Sequence, residues 1–258
     1  MPSAVETAWM DELTAARETD LTTLMDGRVS LRQPVKGYRA GMDAVMLAAS
    51  LQARPGEHLV EFGCGPGGAL LCAAHRLPDC RITAYEVESW AAELAQRNVA
   101  ENALGDRVEV VNADIAALPP THIADQVFFN PPFYDNPAAL RPPSPEKARA
   151  WMSGEAPLSV WIKAASRTIR GQGYLTLIHR ADALDTILRD SAREFGSAVI
   201  RPIQPREDRS AKRVLVRLRK GGRAPLVLLP PLVLHEGEAR AYAGEAERVY
   251  RGDPLFMG

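Results

Sequence analysis

The stretch "HLVEFGCGPGGALLCAAHRL" at residues 58–77 constrains the fold more than any other part of the chain. Five residues with strand character run into a turn with Gly63, Gly65 and Gly68 in G-x-G-x-x-G spacing, and an amphipathic helix follows. The same alternation continues downstream. "RITAYE" reads as a strand, "WAAELAQRNVAENA" as a helix, and "RVEVVNA" and "ADQVFFN" as strands. "PLSVWIKAASRTIR" then reads as a helix, "GYLTLIH" as a strand and "ADALDTILRDSAREF" as a helix. Short apolar strands separated by amphipathic helices predict a parallel sheet covered on both faces. "SAVIRPIQP" and "KRVLVRLRK" are joined by a polar loop with no room for a helix, so this last pair is expected to be antiparallel. The prediction is a doubly wound, mostly parallel seven-stranded α/β sheet with an antiparallel C-terminal strand, occupying residues 53–258. Residues 1–52 are expected to form a small extension: a helix near 5–17, a hairpin through "GRVSLRQP" and "GYR", and a helix from about Asp43 to Leu51.

Composition narrows the function classes. Of 258 residues, 46% are hydrophobic and 24% charged, as in soluble globular proteins. No apolar run approaches the roughly 20 residues that span a bilayer. The acidic first residues lack the basic start and apolar core of a signal peptide, so cytoplasm is the expected compartment. Cys64, Cys72 and Cys80 are too few and too far apart for a zinc site or a disulfide framework, and they read as apolar packing residues. Five scattered histidines form no ligand pattern, so no metal is expected.

The glycine turn alone leaves a nicotinamide or flavin cofactor open, with Glu86 about twenty residues on, where an acid holds ribose hydroxyls. Glu61, two residues before Gly63, turns the reading elsewhere. A pyrophosphate would bring negative charge onto that carboxylate, whereas an amine would be welcomed by it. S-adenosylmethionine carries an ammonium, a sulfonium and a ribose, and no phosphate. Pro66 and Gly67 stiffen the turn so that backbone can approach such a ligand closely. A third acid, Asp114, ends the next strand; it can face an adenine amine, cap the short helix that begins at "IAAL", or do both.

The stretch "VFFNPPFY", residues 127–134, is a buried-looking strand that ends in Asn130, two prolines and two aromatics. Glu61-x-Gly63-x-Gly65, Glu86, Asp114 and Asn130-Pro131-Pro132-Phe133, in this order, resemble the Rossmann-fold S-adenosylmethionine-dependent methyltransferases. The tetrad is similar to that of the members that methylate a planar nitrogen. The resemblance implies a catalytic role for Asn130, Pro131, Pro132 and Phe133. Cofactor contacts would come from Glu61, Gly63, Gly65, Glu86, Asp114 and Asn130. The lone pair of an aryl amine is delocalised into its ring, so methyl transfer must stabilise positive charge growing on that nitrogen. Fixed acceptors, the Asn130 side-chain oxygen and the Pro131 carbonyl, would do so without reorganising. Phe133 or Tyr134 would stack on the target base.

Upstream, "LRQPVKGYRAGMDAVMLAASL" resembles the bacterial valine-tRNA adenine-N6 methyltransferase family through Gln33-Pro34, Gly37-Tyr38-Arg39 and Asp43. "KRVLVRLRKGG" and "LLPPLVLHEGEARAY" also resemble that family's ending. The similarity covers most of residues 25–252. It implies a cofactor contact from Arg39 and a tRNA substrate; Asp43 and Tyr38 serve equally well as a helix cap and a packing residue. Between Arg201 and Arg223 nine Arg or Lys stand against Glu207 and Asp208, a local excess of seven positive charges despite a net charge of −1. Such a run is either a solvated edge or a surface for RNA phosphates, with Arg209, Lys212 and Arg213 as candidate contacts. Guanine-N2 methylation of ribosomal RNA and glutamine-N5 methylation of a protein use the same acceptor chemistry and stay open, as does an RNA-binding module without activity.

Overall fold

A computed structural model describes residues 18–36, 39–132, 157–237, 241–242 and 244–258. The expected helix at 5–17, Gly37, Tyr38, Phe133, Tyr134 and the stretch to residue 156 lie outside these residues. Hairpin strands β1 (Thr19–Leu24) and β2 (Val29–Pro34) come first, then α1 (Met42–Ser50). The alternating core follows: β3 (His58–Phe62), α2 (Gly68–Arg76), β4 (Arg81–Glu86), α3 (Ser89–Glu101), β5 (Val108–Asn112) and β6 (Ala124–Phe129). Next are α4 (Leu158–Thr168), β7 (Ile169–Arg180), α5 (Leu184–Ser191), β8 (Phe195–Gln204) and β9 (Arg213–Lys220). Two-residue strands β10 (Val227–Leu228) and β11 (Leu232–Val233) precede the last helix, α6 (Gly244–Tyr250).

The seven long strands take the order β8-β9-β7-β6-β3-β4-β5, and β10 and β11 both add to β8. Strands β7, β6, β3, β4 and β5 run parallel, while β9 is antiparallel to both β7 and β8. β2 pairs with Thr19–Leu24, a strand the sequence reading did not name, while Gly37 and Tyr38 of the expected partner "GYR" lie outside the described residues. The reversal is made at Met25, Asp26 and Gly27, all at positive φ (53°, 57° and 84°), where Asp-Gly supplies the left-handed turn that closes a hairpin.

Period-two alternation along each parallel strand builds two cores. Leu59 of β3 and Phe128 of β6 join Leu47 of α1, Leu70 and Leu71 of α2 and Val99 of α3 on one face. Val60 and Phe62, with Val127 and Phe129, join Ile162 of α4 and Ile187 of α5 on the other. The hairpin and α1 contribute Leu31 and Met46 to the first core, so the extension and the sheet share it. Cys64, Cys72 and Cys80 are buried thiols, and burial pushes Cys72 up to about 12, which keeps it inert.

After β3 the chain winds through α2 to β4 and through α3 to β5, then returns to place β6 on the opposite side of β3. That reversal opens the sheet between the carboxyl ends of β3 and β6, the place where ligands bind in doubly wound sheets. Phe62 and Phe129 pave its floor, their rings stacked with centroids 6.4 Å apart and planes 7° apart. Both are fully buried, so Phe62→Ala would cost about 3–5 kcal/mol.

Candidate cofactor and substrate site

The glycine turn is held from β4. The N–H groups of Gly63 and Cys64 both donate to the Tyr85 carbonyl, at 2.7 and 3.3 Å. Gly65 donates to Oε2 of Glu86 at 2.7 Å, and Oε1 of Glu86 accepts from the Glu88 N–H at 2.9 Å. Gly63, Gly65 and Gly67 have φ of 62°, 53° and 96°, which L side chains rarely adopt. At Gly63 space adds to the demand, since a Cβ would lie 2.5 Å from the indole of Trp161 on α4. At Gly65 a Cβ would meet no heavy atom within 4 Å, so conformation alone requires glycine there.

Glu61 is 2% exposed, flanked in register by Ala84 and Phe128, and its Oε2 has no hydrogen-bond partner. Burial first, and then the charge of Glu86, push its carboxyl well above the ordinary value. A surface ion pair is therefore not its role. An acid buried beside another acid, at the mouth of a switch-point crevice, suits a cationic amine, which would supply the missing charge and donors. These acidic acceptors fit S-adenosylmethionine and disfavour a pyrophosphate.

Asp114 is exposed and caps the turn Ile115–Ala117, with Oδ1 accepting from the Ala116 N–H at 2.8 Å. Asn130 and Pro131 leave the end of β6, where Phe129 pairs in register with Phe62 on one side and Leu177 on the other. The strand register thus sets Gly63 and Asn130 side by side across the switch point. Pro131 is buried and Pro132 exposed. Trp161 links the two halves: it overlies Gly63 and its ring centroid is 5.4 Å from that of Phe129. Sequence reading missed Trp161, because an aromatic in an amphipathic helix signals burial and nothing more.

The remaining candidates scatter. Arg39 donates to Asp20 Oδ1 at 2.8 Å and to the Pro34 carbonyl at 2.9 Å, which turns its guanidinium to the hairpin and not to the glycine turn. Its neighbour Ala40 does reach the turn, for a Cβ at Gly68 would lie 2.3 Å from the Ala40 methyl. Asp43 pairs with Arg213 at 3.0 Å.

The basic segment divides into three groups. Arg201 is buried against Glu245 and the Phe256 carbonyl, and Arg217 lies 4.0 Å over the Tyr174 ring, so neither faces solvent as a patch residue. Lys220 is held by the carbonyls of Ser166 and Ile169, and with Arg219 and Arg223 it sits at the amino-end edge of the parallel strands. Arg206, Arg209 and Lys212 occupy the β8–β9 connection, and Arg213 opens β9. Because Arg213 pairs with Arg180 at the end of β7, that connection stands on the same edge as Gly63 and Asn130.

Among the described residues no helix is long and apolar enough to cross a membrane. The model of the methyltransferase small domain matches residues 40–141, which include the turn, all three acids and Asn130. A tRNA1(Val) (adenine(37)-N6)-methyltransferase of Porphyromonas gingivalis is 28% identical over 198 residues, 73% of this chain and 77% of its own length. One of the same description from Vibrio campbellii is 31% identical over 106 residues, 40% of this chain and 44% of that protein. Among solved structures, a predicted O-methyltransferase from Agrobacterium tumefaciens shares 28% identity at a TM-score of 0.70, covering 83% of this chain and 98% of that one. Fold, switch-point site and these likenesses agree: the chain has the fold of the S-adenosylmethionine-dependent methyltransferases and carries a methyltransferase small domain at residues 40–141.

Proposed function

We propose that this protein methylates the exocyclic N6 of an adenine in tRNA, in the cytoplasm. The observation that carries the reading is the juxtaposition of Asn130-Pro131 with the glycine turn and buried Glu61 across one switch point. The curated relatives described as tRNA adenine-N6 methyltransferases support the choice of substrate. S-adenosylmethionine supplies the electrophilic methyl group when bound.

The chain's residues do the rest. Glu61 holds the cofactor's amine, Glu86 its ribose hydroxyls and Asp114 its adenine amine through the oxygen not used in capping. Backbone of Gly63 and Gly65 lets the ligand lie close. Asn130 Oδ1 and the Pro131 carbonyl accept hydrogen bonds from the target amine and favour the charge that grows there. Pro131 and Pro132 keep those acceptors still, and Phe133 or Tyr134 stacks on the base. No strong base is needed, because the methylated cationic amine gives up its proton readily to water. Arg209 and Lys212, with Arg206 and Arg213 beside them, meet RNA phosphates on the same edge.

Nucleoside mass spectrometry of total tRNA and ribosomal RNA after methylation in vitro tests the reading. N6-methyladenosine in tRNA is expected. N2-methylguanosine in ribosomal RNA, an O-methylated product, or methyl transfer to protein alone would overturn the substrate and leave the fold untouched.

A further inference from the structure

The β1–β2 hairpin turns the free edge of β2 toward α3, and two asparagines take the place of a partner strand. The Ser30 N–H donates to Asn102 Oδ1 at 3.0 Å, and the Ser30 carbonyl accepts from Asn102 Nδ2 at 2.7 Å. Two residues on, the Arg32 N–H donates to Asn98 Oδ1 at 3.0 Å, and the Arg32 carbonyl accepts from Asn98 Nδ2 at 2.8 Å. The fit is geometric. Positions four apart on a helix rise by about 6 Å, close to the roughly 6.8 Å between alternate residues of a strand.

The two amides differ in where their last hydrogen goes. Asn102 Nδ2 also donates to the Asn98 carbonyl, within its own helix region. Asn98 Nδ2 instead donates to the Pro66 carbonyl at 2.8 Å, in the middle of the glycine turn. Asn98 is wholly buried, with both amide hydrogens and its oxygen engaged. Among the described residues the other bonds to this turn come from β4, from Glu86, from the turn's own Cys64 carbonyl and thiol, and from the Leu71 N–H of α2, none of them reaching the hairpin. Asn98 is thus the side chain that ties the turn to the hairpin. Gln33 adds a second tie, accepting the Ala40 N–H at 2.8 Å where Ala40 abuts Gly68.

We infer that Asn98 is a positioning residue for the cofactor site: it fixes the Pro66 carbonyl, and through it couples docking of the β1–β2 hairpin to cofactor binding. The inference rests on the reading that the glycine turn holds S-adenosylmethionine. Coupling of this kind is reciprocal, so a bound cofactor must tighten the hairpin as a docked hairpin tightens the turn.

Calorimetric titration of S-adenosylhomocysteine into wild type, Asn98→Ala and Asn102→Ala, with melting and steady-state assays, separates positioning from plain support. Both variants are expected to melt lower. Asn98→Ala should weaken S-adenosylhomocysteine and raise the KM for S-adenosylmethionine by about tenfold, the scale of one buried hydrogen bond, with kcat within about twofold. Asn102→Ala loosens the hairpin but leaves the bond to the Pro66 carbonyl in place, so it should weaken binding by no more than about twofold, clearly less than Asn98→Ala. Hydrogen exchange on the wild-type protein needs no variant and decides the matter even if Asn98→Ala does not fold: saturating S-adenosylhomocysteine should slow exchange at Ser30 and Arg32 severalfold. Equal affinities in both variants, or unchanged exchange at those amides with ligand bound, would overturn the inference. A wild-type protein that fails to bind S-adenosylhomocysteine would instead contradict the cofactor reading on which it stands.

Discussion

Glu86 Oε2 accepts the backbone N–H of Gly65 at 2.7 Å, so the second acid of the site is bonded to the turn it faces. One side chain therefore serves two ends: it fixes a residue at positive φ and presents a carboxylate at the end of β4. Glu86→Ala should weaken S-adenosylhomocysteine by on the order of 1–3 kcal/mol, because ligand and turn both lose an acceptor. Glu86→Gln, which keeps an acceptor for Gly65, should fall between. Calorimetry that finds all three proteins alike would remove Glu86 from the site.

Glu61 sets a pH dependence. Its folded carboxyl titrates well above the ordinary 4.5 because burial and Glu86 disfavour its charge. The unfolded chain releases this proton near the ordinary value and the folded protein holds it to higher pH. Glu61 therefore lowers stability progressively as pH rises from about 4.5 through its folded value. Glu61→Gln, which cannot ionise, should raise the melting temperature of the ligand-free protein at neutral pH and raise it less near pH 4.5. A cationic amine beside Glu61 reverses the preference, so binding should release a proton in wild type and not in Glu61→Gln. Calorimetry in buffers of different ionisation enthalpy reads that proton directly. Equal proton release in both proteins would place the cation elsewhere.

Gly63 meets two obstacles to substitution, its φ of 62° and the indole of Trp161 2.5 Å from a Cβ. Gly63→Ala should cost about 1–3 kcal/mol of stability and weaken the cofactor as well. Trp161→Leu in the same chain should restore part of the stability and little of the binding. Full recovery of both would mean that the turn's backbone conformation does not matter to the ligand.

The division of the basic segment yields a matched pair of surface variants. Reversing Arg209 and Lys212 to Glu should weaken tRNA binding and flatten its salt dependence, by roughly 0.7–0.9 in log–log slope for each phosphate no longer neutralised. Reversing Arg219 and Arg223 at the opposite edge should change neither by much. Affinity for S-adenosylhomocysteine should be the same in all. Equal effects from both pairs would mean a general charge effect with no RNA face.

Much of the architecture was legible because periodicity reports burial. Strands such as "HLVEF" are apolar on both faces, and only a sheet covered on both sides makes that favourable. The antiparallel pair followed from a connection too short for a helix. The hairpin partner was missed because "TDLTTL" is polar and exposed along one side, so nothing in its pattern separates it from a loop. In the site, glycine spacing and acids at strand ends are local signals and were visible. Charge counting failed where it ignored direction. Arg201 and Arg217 are basic in sequence, yet in space they hold Glu245 and Tyr174. Trp161 and Asn98 were out of reach for a related reason: each matters through a residue far off in the chain, Gly63 and Pro66.

Asn130→Ala tests the central claim most directly. Wild type and variant are incubated with S-adenosylmethionine and total tRNA, the nucleosides are quantified by mass spectrometry, and S-adenosylhomocysteine affinity is measured alongside. The wild-type protein should form N6-methyladenosine, and the variant should lose on the order of 10²–10³ in turnover, the scale of one preorganised acceptor, while keeping its cofactor affinity within a few-fold. Near-normal turnover in Asn130→Ala would contradict the assignment and place the acceptor of the target amine somewhere other than the end of β6.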